Sequence, residues 1–272
     1  MKPGVGMISR TAVTAGPLPG GAEPARSDAM SIWRYANPAE FMRVSGAVTP
    51  ALTVLGIAAL FIGAGWGLFL TPTHYEQGES ARIIYIHVPS AMLAINTYFL
   101  MAVASIIGLV RRHHVSFLIA KSAAPIGAAF TALALITGAL WGAPTWGTWW
   151  VWDPKLTSVL IMFFFYVGYI GLWNAVEDPD KAGDLSAVLC LVGVVFAIMS
   201  RYAVEIFDGR TLHQPASLSL DEEENVSNVY YLPLLVSIVG FYGAFLSLLL
   251  IRTRTEIRER RLRAMEMRAA RA

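Results

Sequence analysis

Two histidines and a cluster of tryptophans are the residues of this sequence whose types and spacing could do chemistry. His87 lies in ARIIYIHVPSAM and His213 in GRTLHQPAS. Between them runs WGAPTWGTWWVWDPKLTS, residues 141–158, which holds Trp141, Trp146, Trp149, Trp150 and Trp152, five of the chain's eight tryptophans. A neutral imidazole donates a lone pair to a metal, and indole faces stack on flat ring systems. A membrane-interface belt spreads its aromatics over many helix ends. Crowding five into one connection, with Gly142, Pro144 and Gly147 allowing a compact fold, favours a ligand platform. Each histidine alone reads as a surface or hydrogen-bonded residue. As a pair on either side of an aromatic floor, they suit an iron porphyrin with two axial imidazoles.

The neighbouring polar residues have plainer readings. Asp153 precedes Pro154 and an apolar run, the arrangement of a helix N-cap followed by proline at the first helical position. Capping outweighs chemistry there, and asparagine would cap as well. Any carboxylates on a ligand at this face must find Arg82, Lys155, Arg201 or Arg210, although Arg201 also reads as a snorkelling residue at the end of a span. His74 follows LTPT in a turn, and His113 and His114 sit in the basic stretch RRHH. The one cysteine, Cys190, lies inside an apolar run, so there is no Cys-x-x-Cys redox pair and no Cys-x-x-Cys-His for covalent haem. No Gly-Lys-Ser/Thr phosphate loop is present, which assigns any ATP hydrolysis to a partner.

The elements that must position these residues are membrane spans. Of 272 residues, 56% are hydrophobic and only 15% charged, with a mean hydropathy of +0.54. Six apolar runs, 48–70, 89–110, 117–140, 156–175, 184–203 and 231–251, are long enough to cross a bilayer as helices. Their continuous apolar character, without alternation, excludes barrel strands. The expectation is an all-α, polytopic membrane protein. Placing the N-terminus inside puts 17 basic residues on the inner side and 4 on the outer, which sets both termini in the cytoplasm and the tryptophan stretch outside.

Residues 1–29 read as a disordered inner tail, with Met30 as a candidate start. ANPAEFMRVSG then offers Asn37 as cap, Pro38 at the first helical position and Glu40 closing a capping box. With Trp33, Tyr35 and Phe41, this reads as a short interfacial helix ahead of the first span. Residues 30–251 form the six-span domain. The basic tail at 252–272 extends the last helix along or below the anionic inner leaflet. GAGWG at 63–67 offers small residues for close helix contact.

The tryptophan stretch resembles the WWD signature of the haem-handling membrane proteins of cytochrome c maturation. RIIYIHVPSA, KSAAPIGAAFTALALITGALWG and TLHQ resemble the flanking pieces of the CcmC branch, and the likeness runs from about residue 38 to 251, all six spans. Larger relatives, CcmF and the CcsA-type synthases, have more spans and histidines. The resemblance implies an inner-membrane protein that binds haem b non-covalently at the periplasmic face and passes it to the chaperone CcmE. It further implies the ATP-binding transporter CcmA–CcmB and the small protein CcmD as partners, beside membrane lipid, with no nucleic acid. It makes His87 and His213 the axial ligands of the iron and the tryptophans, with Asp153, the porphyrin platform. Arg82 and Lys155 become candidate propionate partners. Pro154 and Lys155 stand where the family pattern has a small residue and an arginine. No catalytic pairing is visible, so delivery rather than catalysis is expected. The alternatives are a lyase-type enzyme of the CcmF/CcsA branch, and a transporter in which the aromatic stretch is structural.

Overall fold

The structure is a computed structural model and describes residues 37–207, 211–213 and 227–271. The readings made for residues 1–29, Met30, Trp33, Tyr35 and Arg210 lie outside these. The fold is all-helical: α1 Pro38–Leu70, a 3-10 turn Glu79–Ile83, α2 Ile84–Arg111, α3 His114–Trp146, α4 Pro154–Ala175, α5 Pro179–Ile206 and α6 Asn228–Ala269. Six of these segments are long and apolar enough to span a membrane.

The helix ends follow capping chemistry. Asn37 accepts the amide of Ala39 at 2.9 Å, with Pro38 at the first helical position. Glu40 pairs with Arg43 one turn on, at 2.6 Å. The expected interfacial helix and first span are one unbroken helix, because nothing between Phe41 and Val48 breaks the hydrogen-bond ladder. His113 caps α3, its Nδ1 accepting the Ser116 amide at 3.2 Å. Asp178 caps α5 by accepting the amides of Asp180 and Lys181, contacts that hold its carboxyl below the usual range. The tail after Ile251 continues α6 without a break, tied by Arg260 to Asp180 and by Glu256 to Lys121, each at 2.6 Å.

The helices pack mainly in pairs: α1 on α6, α2 on α3, α4 on α5. Small residues set the first pair. A Cβ at Gly63 would lie 2.2 Å from the Ser237 amide nitrogen, and one at Gly240 would lie 2.1 Å from the Leu60 nitrogen. Backbones this close gain dispersion contact that larger side chains would forbid. Gly67, also in the expected small-residue stretch, packs against the Tyr85 ring. At the core, Tyr98 and Tyr166 meet edge to face at 5.0 Å. Their hydroxyls donate to the carbonyls of Cys190 and Ala94 at 3.2 and 2.8 Å, so neither is left unpaired in an apolar setting.

This packing predicts that Gly240→Leu forces α1 and α6 apart. Overpacking of this kind costs about 3 kcal/mol. Thermal unfolding in detergent, followed by circular dichroism, should show a clearly lowered midpoint, while Gly65→Ala, at a position with open space, should leave it unchanged.

Candidate functional site

His87 sits in the first turn of α2, two residues before Pro89. Proline has no N–H, so the Tyr85 carbonyl one turn back loses its helical donor. The Ser237 hydroxyl of α6 supplies one instead at 2.6 Å. The start of α2 is therefore held by a neighbouring helix rather than left frayed. His87 Nδ1 lies 3.0 Å from Thr137 Oγ1 of α3. That hydroxyl directs its single proton to the carbonyls of Leu133 and Ala134, at 2.7 and 3.3 Å. With its proton on a carbonyl it accepts from the histidine, an arrangement that puts the imidazole proton on Nδ1 and the lone pair on Nε2. Gly138 keeps space beside the ring: a Cβ there would come within 3.1 Å of His87 Cε1.

His213 is held differently, on an irregular segment after α5. Asp153 is buried and caps α4, its Oδ1 accepting the Leu156 amide at 2.7 Å. Its other oxygen reaches across the loop. Oδ2 accepts the Thr211 hydroxyl at 2.7 Å and the Leu212 amide at 3.3 Å. The Thr211 oxygen in turn accepts the His213 amide at 3.2 Å. Capping thus accounts for half of the carboxylate, and the other half anchors the segment that presents His213.

The tryptophan stretch is shorter as a loop than the sequence suggests. Trp141 and Trp146 belong to the last turns of α3, which ends where Gly147 adopts a left-handed φ of 74° and its amide bonds the Ala143 carbonyl. Trp141 is buried, donates from Nε1 to Gln77 Oε1 at 3.3 Å, and lies 6.4 Å from the His213 ring. Trp141, Trp146 and Trp150 line a cavity of about 300 Å³ together with His87 and His213, a size within the range of small-molecule sites. Trp149 and Trp152 are 62% and 76% exposed and lie outside its walls.

Of the expected basic partners, Lys155 lines the cavity. Arg82 does not, because its guanidinium is taken by the Thr71 carbonyl at 2.6 Å and by Glu79 at 2.5 Å. Arg201 does line it, on the α5 wall. His74 organises its own turn, Nδ1 accepting the amides of Glu76 and Gln77. His113 and His114 sit beyond the far end of α2, roughly 40 Å from His87 by helix rise. Sequence reasoning missed Thr137 and Thr211. Thr137 stands one turn before Trp141, on the same helical face, which is a signal a reader could have used.

The rings of His87 and His213 are 6.5 Å apart, centre to centre, and inclined by 34°. Metal–nitrogen bonds of about 2 Å on each side of one ion would set two ring centres about 6 Å apart. Among the described residues no three His, Cys, Asp or Glu side chains gather as a metal site.

The family is given by sequence relatives. A family model described as Heme exporter protein C matches residues 31–268. The chain belongs to this family. Heme exporter protein C of Rhodobacter capsulatus is 58% identical over 239 residues, 88% of this chain and 98% of the relative. The protein of that name from Paracoccus denitrificans is 58% identical over 243 residues, covering 89% and 100%. The Escherichia coli K12 protein is 41% identical over 227 residues, covering 84% and 91%. As a member of the heme exporter protein C family with six membrane-spanning-capable helices, the chain is a multi-pass membrane protein.

The double role of Asp153 predicts a selective defect. Asp153→Asn keeps one acceptor oxygen for the Leu156 cap and loses the second, charged one. Amide exchange in a peptide spanning Thr211–His213 should then speed up by about tenfold, the equivalent of one lost charge-assisted hydrogen bond. Exchange in the first turn of α4 should barely change. Equal acceleration in both regions would show that the carboxylate serves only the helix.

Proposed function

We propose that this chain binds haem non-covalently between His87 and His213 and presents it for delivery during cytochrome c maturation. The observation that carries the reading is the 6.5 Å ring spacing over an aromatic-walled cavity. A porphyrin supplies four equatorial nitrogens, so two axial imidazoles complete the iron. Trp141, Trp146 and Trp150 contribute apolar wall on which the macrocycle packs. Lys155 is a basic residue of the cavity wall that can meet its propionates.

The site faces the periplasm of a bacterial inner membrane in this reading. The 17-to-4 distribution of basic residues sets the orientation, and six crossings return both termini to the cytoplasm. Arg112–Asp184 and Arg260–Asp180 lie at the opposite end of the bundle from the two histidines. The recipient is the chaperone CcmE, with CcmA–CcmB and CcmD as the accompanying transporter components. The chain holds and hands over its cargo and is not itself an enzyme. Any covalent bond to the chaperone is made by a nucleophile on the chaperone.

The test compares four variants of the purified protein loaded with haem. His87→Ala and His213→Ala should each lose the six-coordinate Soret spectrum and most of the bound haem, while His113→Ala and His114→Ala keep both. Normal spectra from both variants of the cavity histidines would overturn the ligand assignment.

Thr137 gives a finer check. Thr137→Val removes the acceptor for His87 Nδ1–H, and a loss of metal-site affinity of about tenfold or more is expected. Thr137→Ser should restore it, measured by haem titration.

A further inference from the structure

The cavity does not sit squarely inside the bundle. On α2 it is lined by Val88, Met92, Ile95 and Asn96, beside His87. Steps of three and four carry this stripe through Phe99 to Val103, Ile106 and Val110 on the same helical face. Those last three are 56%, 48% and 72% exposed, which in a membrane span is a face turned to lipid. Ser90, Leu93 and Thr97, on the buried side of α2, do not line the cavity. One stripe is thus cavity wall in the half of the span next to His87 and lipid face in the other half. On α5 the pattern repeats: Arg201 and Val204 line the cavity, and Ile198 and Tyr202, next round the helix, are exposed. Below it the two helices are pinned together, where Tyr98 donates to the Cys190 carbonyl at 3.2 Å and a Cβ at Gly193 would overlap its hydroxyl. Asn96 marks the same level, about 10 Å along the helix from Pro89. It is exposed, and its amide donates to Tyr242. Polar side chains within spans face cavities or the bundle interior rather than acyl chains, so Asn96 stands at the foot of the opening.

We propose that the seam between α2 and α5, above Tyr98, is a side entrance through which the flat ligand passes between the bilayer and the cavity. This rests on the haem-binding reading and gives its cargo a route. The mouth lies beside acyl chains, and apolar side chains rim it, Met92 and Ile95 on α2 and Val204 on α5. A macrocycle that moves from the leaflet onto these walls keeps its apolar faces out of water throughout. A ring held between two axial imidazoles has both faces covered, so only its edge can lead on entry or exit. A slot between two helices fits that approach, and a wide pore is not needed.

The test uses the full-length protein in phosphatidylcholine nanodiscs with one added thiol, since Cys190 is buried and stays unlabelled. Bimane on Met92→Cys should be quenched by lipids brominated on their acyl chains and not by aqueous iodide. Val110→Cys, on the lipid face of the same stripe, calibrates the quenching. For the route, Met92→Cys is blocked with benzyl methanethiosulfonate, and the Soret band is followed after mixing with haem-loaded phosphatidylcholine vesicles. Loading should slow about tenfold against the unblocked variant and recover when a reductant removes the block. The same block at Val110→Cys should change nothing. Quenching of the Met92→Cys label by iodide alone would show a water-filled funnel and overturn the proposal. Equal loading rates for blocked and unblocked Met92→Cys would overturn it too. A wild type with no Soret band at any haem concentration, while the Met92→Cys label is still quenched from the lipid, would overturn the haem-binding reading instead.

Discussion

In hydrocarbon every backbone N–H and C=O must find its partner within the protein, and the position of His87 follows from one place where that rule is strained. Pro89 deprives the Tyr85 carbonyl of its helical donor, and the Ser237 hydroxyl of α6 replaces it at 2.6 Å. The contact fastens the first turns of α2 to α6. The latter is itself locked against α1 where Gly240 faces the Leu60 backbone and Gly63 faces Ser237. The glycines that let α1 and α6 touch thus also fix the helix start that carries His87. Thr137 then sets the ring from the other side. Three helices and one substituted hydrogen bond hold a single imidazole in place.

The second histidine has no helix of its own. Its segment is fixed by Asp153, which joins two pieces of chain that are 58 residues apart through the Thr211 hydroxyl. The aspartate belongs to the tryptophan stretch, so the loop that walls the cavity also fastens His213 over it. A carboxylate suits this task because its two oxygens accept in different directions at once. One oxygen ends the loop by starting α4, and the other draws in Thr211 and Leu212. Asparagine retains the first function alone, which is why the cap by itself is an incomplete account of this residue.

Composition and run length made the helices legible: six spans follow from apolar stretches bounded by capping and basic residues. Their ends were less so. Two glycines and a proline within six residues suggest a loop at 142–147, yet α3 continues to Trp146. Pro144 falls near the C-terminus, where little of the ladder remains to be broken. The two histidines and the aromatic wall could be read from residue type, since few other side chains bind metals or flat rings. What could not be read was selection among equals. Trp149 and Trp152 look like Trp141 in sequence but face outward, because the turn after Gly147 decides which indoles point into the cavity. Arg82 looks like Arg201, but a neighbouring carbonyl and Glu79 capture it. Such choices depend on contacts between residues far apart in sequence, and no local pattern records them.

The two histidines are therefore held by different means. His87 is part of a packed helix, its ring seated between Thr137 and the space left by Gly138. His213 follows a short segment in which Asp153 accepts from Thr211 and Leu212 and Thr211 accepts the His213 amide. Those bonds act through side chains, whereas displacing His87 means opening the contact between α2 and α6. Any motion that withdraws the Asp153 carboxylate loosens one face of the cavity and leaves the other intact.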